Sequence, residues 1–124
     1  MDLSSGLPVI DYGDSWKFKD DNTDVATSEP AWKTVGFNDA AWDSGEGLFG
    51  FETSALPSPG IRTPWLNSSN AANHITYYAR KTFNYTGETT GVTITVDQIL
   101  DDGAIYYLNG VELARSASMG AAGI

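Results

Sequence analysis

The stretch that decides the fold is Ala104-Ile105-Tyr106-Tyr107-Leu108-Asn109-Gly110-Val111-Glu112-Leu113-Ala114. Two runs of β-prone residues flank Asn109-Gly110, a dipeptide that tolerates the two positive φ angles of a type I′ turn. The sequence therefore predicts a β-hairpin, with antiparallel strands over residues 104–108 and 111–114.

The residues that precede this hairpin predict two further strands. Val92-Thr93-Ile94-Thr95-Val96 alternates apolar and polar side chains without a break, which is typical of a strand with one buried face. Residues 75–85 alternate less strictly, and the turn-forming residues 86–91 separate the two runs. The core is expected to contain Tyr77, Phe83, Val92, Ile94, Val96, Ile105, Tyr107 and Leu108.

The first half of the chain carries weaker signals. Residues 7–12 and 15–19 predict short strands, whereas residues 26–42 contain Pro30 and Gly36 and lack helical spacing. A single helical turn near Trp42, capped by Asn38, is the most helix expected there.

Composition indicates the fold class. The 124 residues suit one domain, 1–124, and its four Trp, six Tyr, five Phe and 13 Gly favour short strands joined by tight turns. The chain lacks cysteine, so its stability must come from packing. These features predict an all-β fold, an antiparallel β-sandwich of jelly-roll type.

The net charge of the chain limits the kinds of molecule that it can bind. The formal net charge is -9, and the seven Lys and Arg are spread along the chain, so we expect no binding to nucleic acid or to anionic membranes. No apolar run approaches the ~20 residues of a membrane-spanning helix. The N-terminus also lacks the basic and apolar regions of a signal peptide.

Several segments together resemble the galactose-binding-like jelly rolls of secreted bacterial proteins, which are related to the sugar-binding domain of family 2 glycoside hydrolases. The resemblance spans most of the chain. It rests on Trp16-Lys17-Phe18, Trp32, Gly36-Phe37-Asn38-Asp39-Ala40-Ala41-Trp42, residues 45–50, Tyr77-Tyr78-Ala79-Arg80-Lys81-Thr82-Phe83 and residues 101–115.

The resemblance implies a fold more firmly than a function, because such domains include both sugar-binding modules and structural ones. The leading expectation is a non-catalytic carbohydrate-binding-like accessory module of a larger extracellular or cell-surface protein. The alternative is a structural or assembly domain that packs on a partner chain and binds no ligand. In the family, the aromatic positions Trp16, Trp32, Phe37, Trp42 and Phe49 mostly lie in the core.

The candidate ligand site lies in the long, Pro- and Asn-rich segment 52–74, because long loops in small domains are usually functional or mobile. Trp65 would either stack on a sugar, with hydrogen bonds from the side chains around it, or anchor the loop through its own burial. Catalysis is not expected, since the chain has one histidine and no Gly-x-Ser-x-Gly motif. The predicted ligand-binding residues are Arg62, Trp65, Asn67, Asn70 and His74.

No cofactor is expected, although one acidic segment leaves two readings open. Asp20, Asn22 and Asp24 offer oxygen ligands at alternate positions, as a calcium loop does, but Val25 and Ala31 stand where an EF-hand needs Gly and Glu. The segment is therefore either a solvated acidic turn or a simpler structural calcium site.

The end of the chain supports one more expectation. Relatives continue past the hairpin with further strands, whereas residues 116–124 form a small-residue tail without alternation. The jelly roll would then be incomplete, and a missing strand leaves unpaired N–H and C=O groups. We expect a second polypeptide, or strand exchange between copies, to complete it by donor-strand addition.

Overall fold

The computed structural model describes residues 9–52, 54–65, 76–101 and 103–120, and most of its regular structure is β-strand. The prediction of a strand-rich, mainly antiparallel fold is confirmed. Helices are short: α1 (Val25–Ser28) and two 3-10 helices at Pro30–Lys33 and Ala117–Met119. The strands are β1 (Ser15–Lys19), β2 (Asp43–Glu46), β3 (Phe49–Gly50), β4 (Thr63–Pro64), β5 (Tyr78–Arg80), β6 (Ile105–Leu108) and β7 (Val111–Arg115).

The central sheet is three-stranded, with β1 between β2 and β5 and antiparallel to both. Lys17 pairs with Ser44 on β2 and with Arg80 on β5, so these three side chains share one face. Phe18 pairs with Ala79 on the opposite face, where Phe18 is buried. The sheet therefore has an apolar face and a polar, basic face.

Two smaller sheets complete the strand structure. Strands β3 and β4 form a short parallel pair, and β6 and β7 form the predicted hairpin. Asn109 and Gly110 have φ angles of 50° and 86°, as a type I′ turn requires. Trp32 contacts the rings of Tyr78 and Tyr107 edge-on, which joins the hairpin to the central sheet.

The core lies around the first half of the chain. Its buried apolar side chains within the described residues are Phe18, Val25 and Trp42. Burial of Trp42 agrees with the position implied by the family resemblance, whereas Trp16 and Trp32 are only half-buried.

Helix α1 was not predicted from the sequence. It is four residues long, too short for helical spacing to appear, and the Asp24 carboxylate caps it by accepting a hydrogen bond from the Thr27 N–H. Near Asn38 the structure has a turn rather than a helix, in which the Asn38 side chain accepts from the Ala40 N–H.

The strand predicted at residues 92–96 is absent from the structure. Val92, Ile94 and Val96 are 46%, 51% and 43% exposed, and residues 81–101 are not paired in any strand. Among the residues that the structure describes, no strand pairs with this run. This part of the core prediction was therefore wrong.

Other strands are shorter than predicted. The predicted strand 75–85 is confirmed only over Tyr78–Arg80, and Phe83 is exposed because the pairing to β1 ends before it. Residues 9–12 of the predicted strand 7–12 form no strand. Four members of the predicted core are only half-buried: Tyr77, Ile105, Tyr107 and Leu108.

Candidate functional site

Trp65 lies in an aromatic cluster rather than in an open loop. Its indole is stacked by Phe49, with ring centroids 5.0 Å apart, and by Tyr77 at 4.6 Å, while Phe18 is tilted against it at 6.3 Å. The indole Nε1 is buried and has no hydrogen-bond partner among the described residues. Burial, together with the charge of Asp20, raises the pKa of the Tyr77 hydroxyl. The Trp65 ring thus packs against protein instead of presenting a platform to a sugar.

Arg62 is exposed, but its guanidinium is held by the backbone. Its Nη1 donates to the Gly47 carbonyl at 2.7 Å and lies against Gly13. The other predicted ligand-binding residues, Asn67, Asn70 and His74, lie outside the described residues. The segment 52–61 does border a cleft of about 270 Å³, formed by Glu52, Ser54, Ala55, Leu56, Gly60 and Ile61. This cleft lacks an aromatic ring and a basic side chain.

A second cleft, the β1 cleft, has a volume of about 210 Å³ and lies at the polar face of the central sheet. Strand alternation and register explain its composition, because Ser15, Lys17, Ser44 and Arg80 come from paired or alternate positions of β1, β2 and β5. Its side chains include three hydroxyl groups, one carboxylate and three cations, and Trp16, the strand neighbour of Ser15 and Lys17, borders it. Its lining residues are Ser15, Trp16, Lys17, Asp39, Ser44, Arg80, Lys81 and Thr82.

Arg80 forms the floor of the β1 cleft and is fixed from several directions. Its Nε donates to Asp39 Oδ2 at 3.0 Å, and its Nη1 donates to the Trp32 and Thr34 carbonyls, the latter at 3.1 Å. The guanidinium also lies 5.0 Å from the centre of the Phe37 ring. The Arg80 side chain is 8% exposed and that of Asp39 is 24% exposed. Arg80 therefore lies on the polar face of the sheet and is paired with an acid.

The two lysines of the β1 cleft differ from Arg80 in their partners. Lys17 donates to the Trp42 carbonyl at 3.3 Å, and Lys81 donates to the Ser15 carbonyl at 2.9 Å. Neither lysine forms an ion pair with a described carboxylate. A carbonyl holds an ammonium group in place without neutralising its charge, so both lysines keep their full positive charge at the cleft.

The acidic segment after β1 acts as a turn and a helix cap. The Asp24 carboxylate accepts from Thr27 Oγ1 and from the Thr27 N–H, and these bonds lower its pKa. Asp21 accepts from the Thr23 N–H and from Lys19, and its pKa is also lowered, chiefly by hydrogen bonding to Thr23. Within the described ranges, no three His, Cys, Asp or Glu side chains stand close enough to hold a metal ion.

The β1 cleft was not predicted from the sequence. The seven basic residues are spread along the chain, but three of them line this one site in the fold. The available signal was the set of alternate positions Ser15, Lys17 and Lys19 on the polar side of a predicted strand. These positions alone do not predict a cleft, because the sequence pattern does not define the partner strands or their register.

Comparisons with known proteins gave no match: no protein family, curated protein or solved structure is significantly similar to this chain. The helices in the described ranges are all shorter or more polar than a bilayer-crossing helix must be.

Proposed function

We propose that this chain is a non-catalytic module that binds carbohydrate, built on a jelly-roll scaffold of galactose-binding-like type. We further propose that it serves a larger secreted or cell-surface protein. The observation that carries the proposal is the β1 cleft, where hydroxyl, carboxylate and ammonium groups stand together.

These groups match the hydroxyl-rich edge of a sugar ring. Sugar hydroxyls both donate and accept hydrogen bonds. Asp39 accepts, Lys81 donates, and Ser15 can do either.

The size of the β1 cleft suits one sugar ring of a polysaccharide. At about 210 Å³ it is smaller than the pockets of roughly 300–1,000 Å³ that enclose drug-sized ligands. A polysaccharide lying across the surface would place a single ring in it and leave the remaining rings in solvent. Shallow contact of this kind favours a binding module that acts on polymers.

Binding fits the lining better than hydrolysis does. Glycoside hydrolysis generally uses a pair of carboxyl groups on either side of the scissile bond. Asp39 is the single acid among the described residues that line the β1 cleft, and it is already paired with Arg80. We therefore propose recognition without bond cleavage.

The direct test is binding to a panel of intact polysaccharides, followed by titration of each ligand found. Ser44→Tyr should abolish or strongly weaken binding, because Ser44 lies on the cleft face and the larger side chain would fill the cleft. Ser28→Tyr is the matched control, since Ser28 is exposed and does not line the cleft. Full binding by a folded Ser44→Tyr protein would overturn the proposed site.

Trp65→Ala separates the two possible locations of the site. We expect this substitution to lower stability, because it removes the centre of an aromatic cluster, and to leave affinity unchanged. Loss of affinity in a folded Trp65→Ala protein would instead place the ligand at the segment 52–74.

A second candidate function, assembly with another copy of this chain, rests on the uncovered residues 92–100. Val92-Thr93-Ile94-Thr95-Val96 is a palindrome, so two copies paired antiparallel about Ile94 would place Val92 opposite Val96 twice. The same register places Asp97 opposite Gly91 and Glu88 opposite Leu100, so no two acids face each other. Association would cover apolar side chains that are otherwise about half exposed.

Light scattering over a range of protein concentrations tests this assembly. Wild type should form dimers, and Ile94→Lys should be monomeric because two ammonium groups would meet at the centre of the pair. Hydrogen exchange should show protection at residues 92–96 that disappears on dilution. A wild-type protein that is monomeric at every concentration would exclude this candidate.

A further inference from the structure

The β1 cleft is positively charged in a strongly acidic chain. It contains three cations, Lys17, Arg80 and Lys81, and one carboxylate, Asp39, which gives a local charge of +2 against a net charge of -9 for the whole chain. At physiological salt the Debye length is about 8 Å, so exposed acids farther away are largely screened. A bound ligand therefore experiences mainly the charge of the cleft, reduced by Glu46, the acid that pairs with Ser15 in the register.

The two charged groups available to a ligand are ammonium groups. The Arg80 guanidinium is buried and occupied by Asp39 and two carbonyls, whereas Lys17 and Lys81 are half-buried and lack a carboxylate partner among the described residues. Lysine acts as a point charge, and the planar fork that arginine offers to phosphate is not free here. This arrangement suits singly charged groups.

From this charge pattern we infer that the β1 cleft binds acidic polysaccharides whose sugar rings carry carboxylates, with Lys17 and Lys81 pairing to those carboxylates. The inference rests on the proposed function, since it names the class of glycan bound at the same cleft. The hydroxyl groups of the cleft would contact the sugar, and the two lysines would select its charge.

The rest of the surface argues against a denser polyanion. Double-stranded DNA carries one charge per ~1.7 Å of axis, and a chain with a net charge of -9 repels such a polymer outside the two-lysine site. A polyuronate carries one carboxylate per ring and also offers hydroxyls to Asp39, Ser44 and Thr82. Nucleic-acid binding is therefore an outcome that the test must distinguish.

The test compares polygalacturonate and alginate with their carboxyl-esterified forms, which keep the sugar rings and lose the charge. We expect the acid forms to bind more tightly than the esters, with an affinity that falls as salt is raised. Lys17→Gln and Lys81→Gln should each weaken binding of the acid forms by about three- to tenfold and leave binding of the esters unchanged.

Two further variants serve as controls. Lys19→Gln removes the same charge from the same strand, but Lys19 is paired with Asp21 and does not line the cleft, so affinity should change little. Glu46 lies opposite Ser15 in the register, and Glu46→Gln should strengthen binding of the acid forms by removing a nearby negative charge.

The failures of the inference and of the proposed function have different signatures. Equal binding of acid and esterified polymers, lost in Ser44→Tyr but unaffected by the lysine variants, would overturn the preference for acids and leave carbohydrate binding intact. Binding of an oligodeoxythymidylate with the same lysine dependence and no polyuronate binding would overturn the inference. No binding of any polysaccharide would overturn the proposed function as well.

Discussion

Strand β1 and the segment 82–101 both carry apolar side chains, yet these reach very different degrees of burial. Phe18 on β1 is 7% exposed, with a strand hydrogen-bonded on each side and rings packed above it. Ile94, in a more regular alternating run, is 51% exposed. Alternation tells which side chains point the same way, whereas burial also requires another layer to cover them.

The largest expected effect is at Phe18. Phe18→Ala should lower the free energy of unfolding by about 3–5 kcal/mol, because it removes a buried ring that contacts Phe49 and Trp65. Phe51→Ala, at an exposed phenylalanine, should change it by less than about 0.5 kcal/mol. Urea denaturation measures both, and equal effects would show that the core is not centred on β1.

The next effect concerns the ion pair beneath the β1 cleft. Arg80→Met should cost about 2–4 kcal/mol, since it leaves Asp39 and two carbonyls without their donor, and the partial exposure of Asp39 moderates the loss. Arg115→Met is the matched control on the hairpin, where the pair with Glu112 is more exposed and is screened by solvent, so its loss should change stability little. A double-mutant cycle with Asp39→Asn isolates the pair. A coupling energy between Arg80 and Asp39 no larger than that between Arg115 and Glu112 would contradict the structural role of the buried pair.

A smaller effect is the pH dependence of the turn after β1. Hydrogen bonds from Thr27 lower the pKa of Asp24, so its ionised form is favoured in the folded state. Stability from this group is present above the unfolded pKa of about 4 and is lost as pH falls through the lower folded pKa. Thr27→Val should raise the pKa of Asp24 towards its ordinary value, as measured by NMR titration of the carboxyl carbon. An unchanged pKa would contradict the cap geometry.

Features that depend on local contacts could be predicted from the sequence, whereas those that depend on distant contacts could not. The hairpin at Asn109 and Gly110 was predictable because the turn chemistry is local and the two strands pair with each other. The pairing of Arg80 with Asp39, 41 residues away, could be anticipated only as a pair with some acid. The β1 cleft depends on a register among three strands from distant parts of the chain, which periodicity does not define.

The surroundings of Trp65 were equally hard to predict from local sequence. Its polar neighbours in the sequence left open a sugar platform or a buried anchor, and the strand pair β3–β4 brings it next to Phe49. Two partners distant in sequence, Phe18 and Tyr77, then complete the cluster. Local composition describes the solvent preference of a segment and does not reveal which distant rings it meets.

The smallest expected effect is the most informative about the uncovered segment. In a monomer, Ile94→Ala should change the free energy of unfolding by less than about 0.5 kcal/mol, because half of the side chain is already in water and little packing is lost. The measurement should be made at several protein concentrations. A loss of about 2–5 kcal/mol that is independent of concentration would mean that residues 92–96 are buried within one chain, as their alternation alone predicts. A loss that appears only at high concentration would mean that a second copy covers them, because dimer stability depends on the concentration of the protomer.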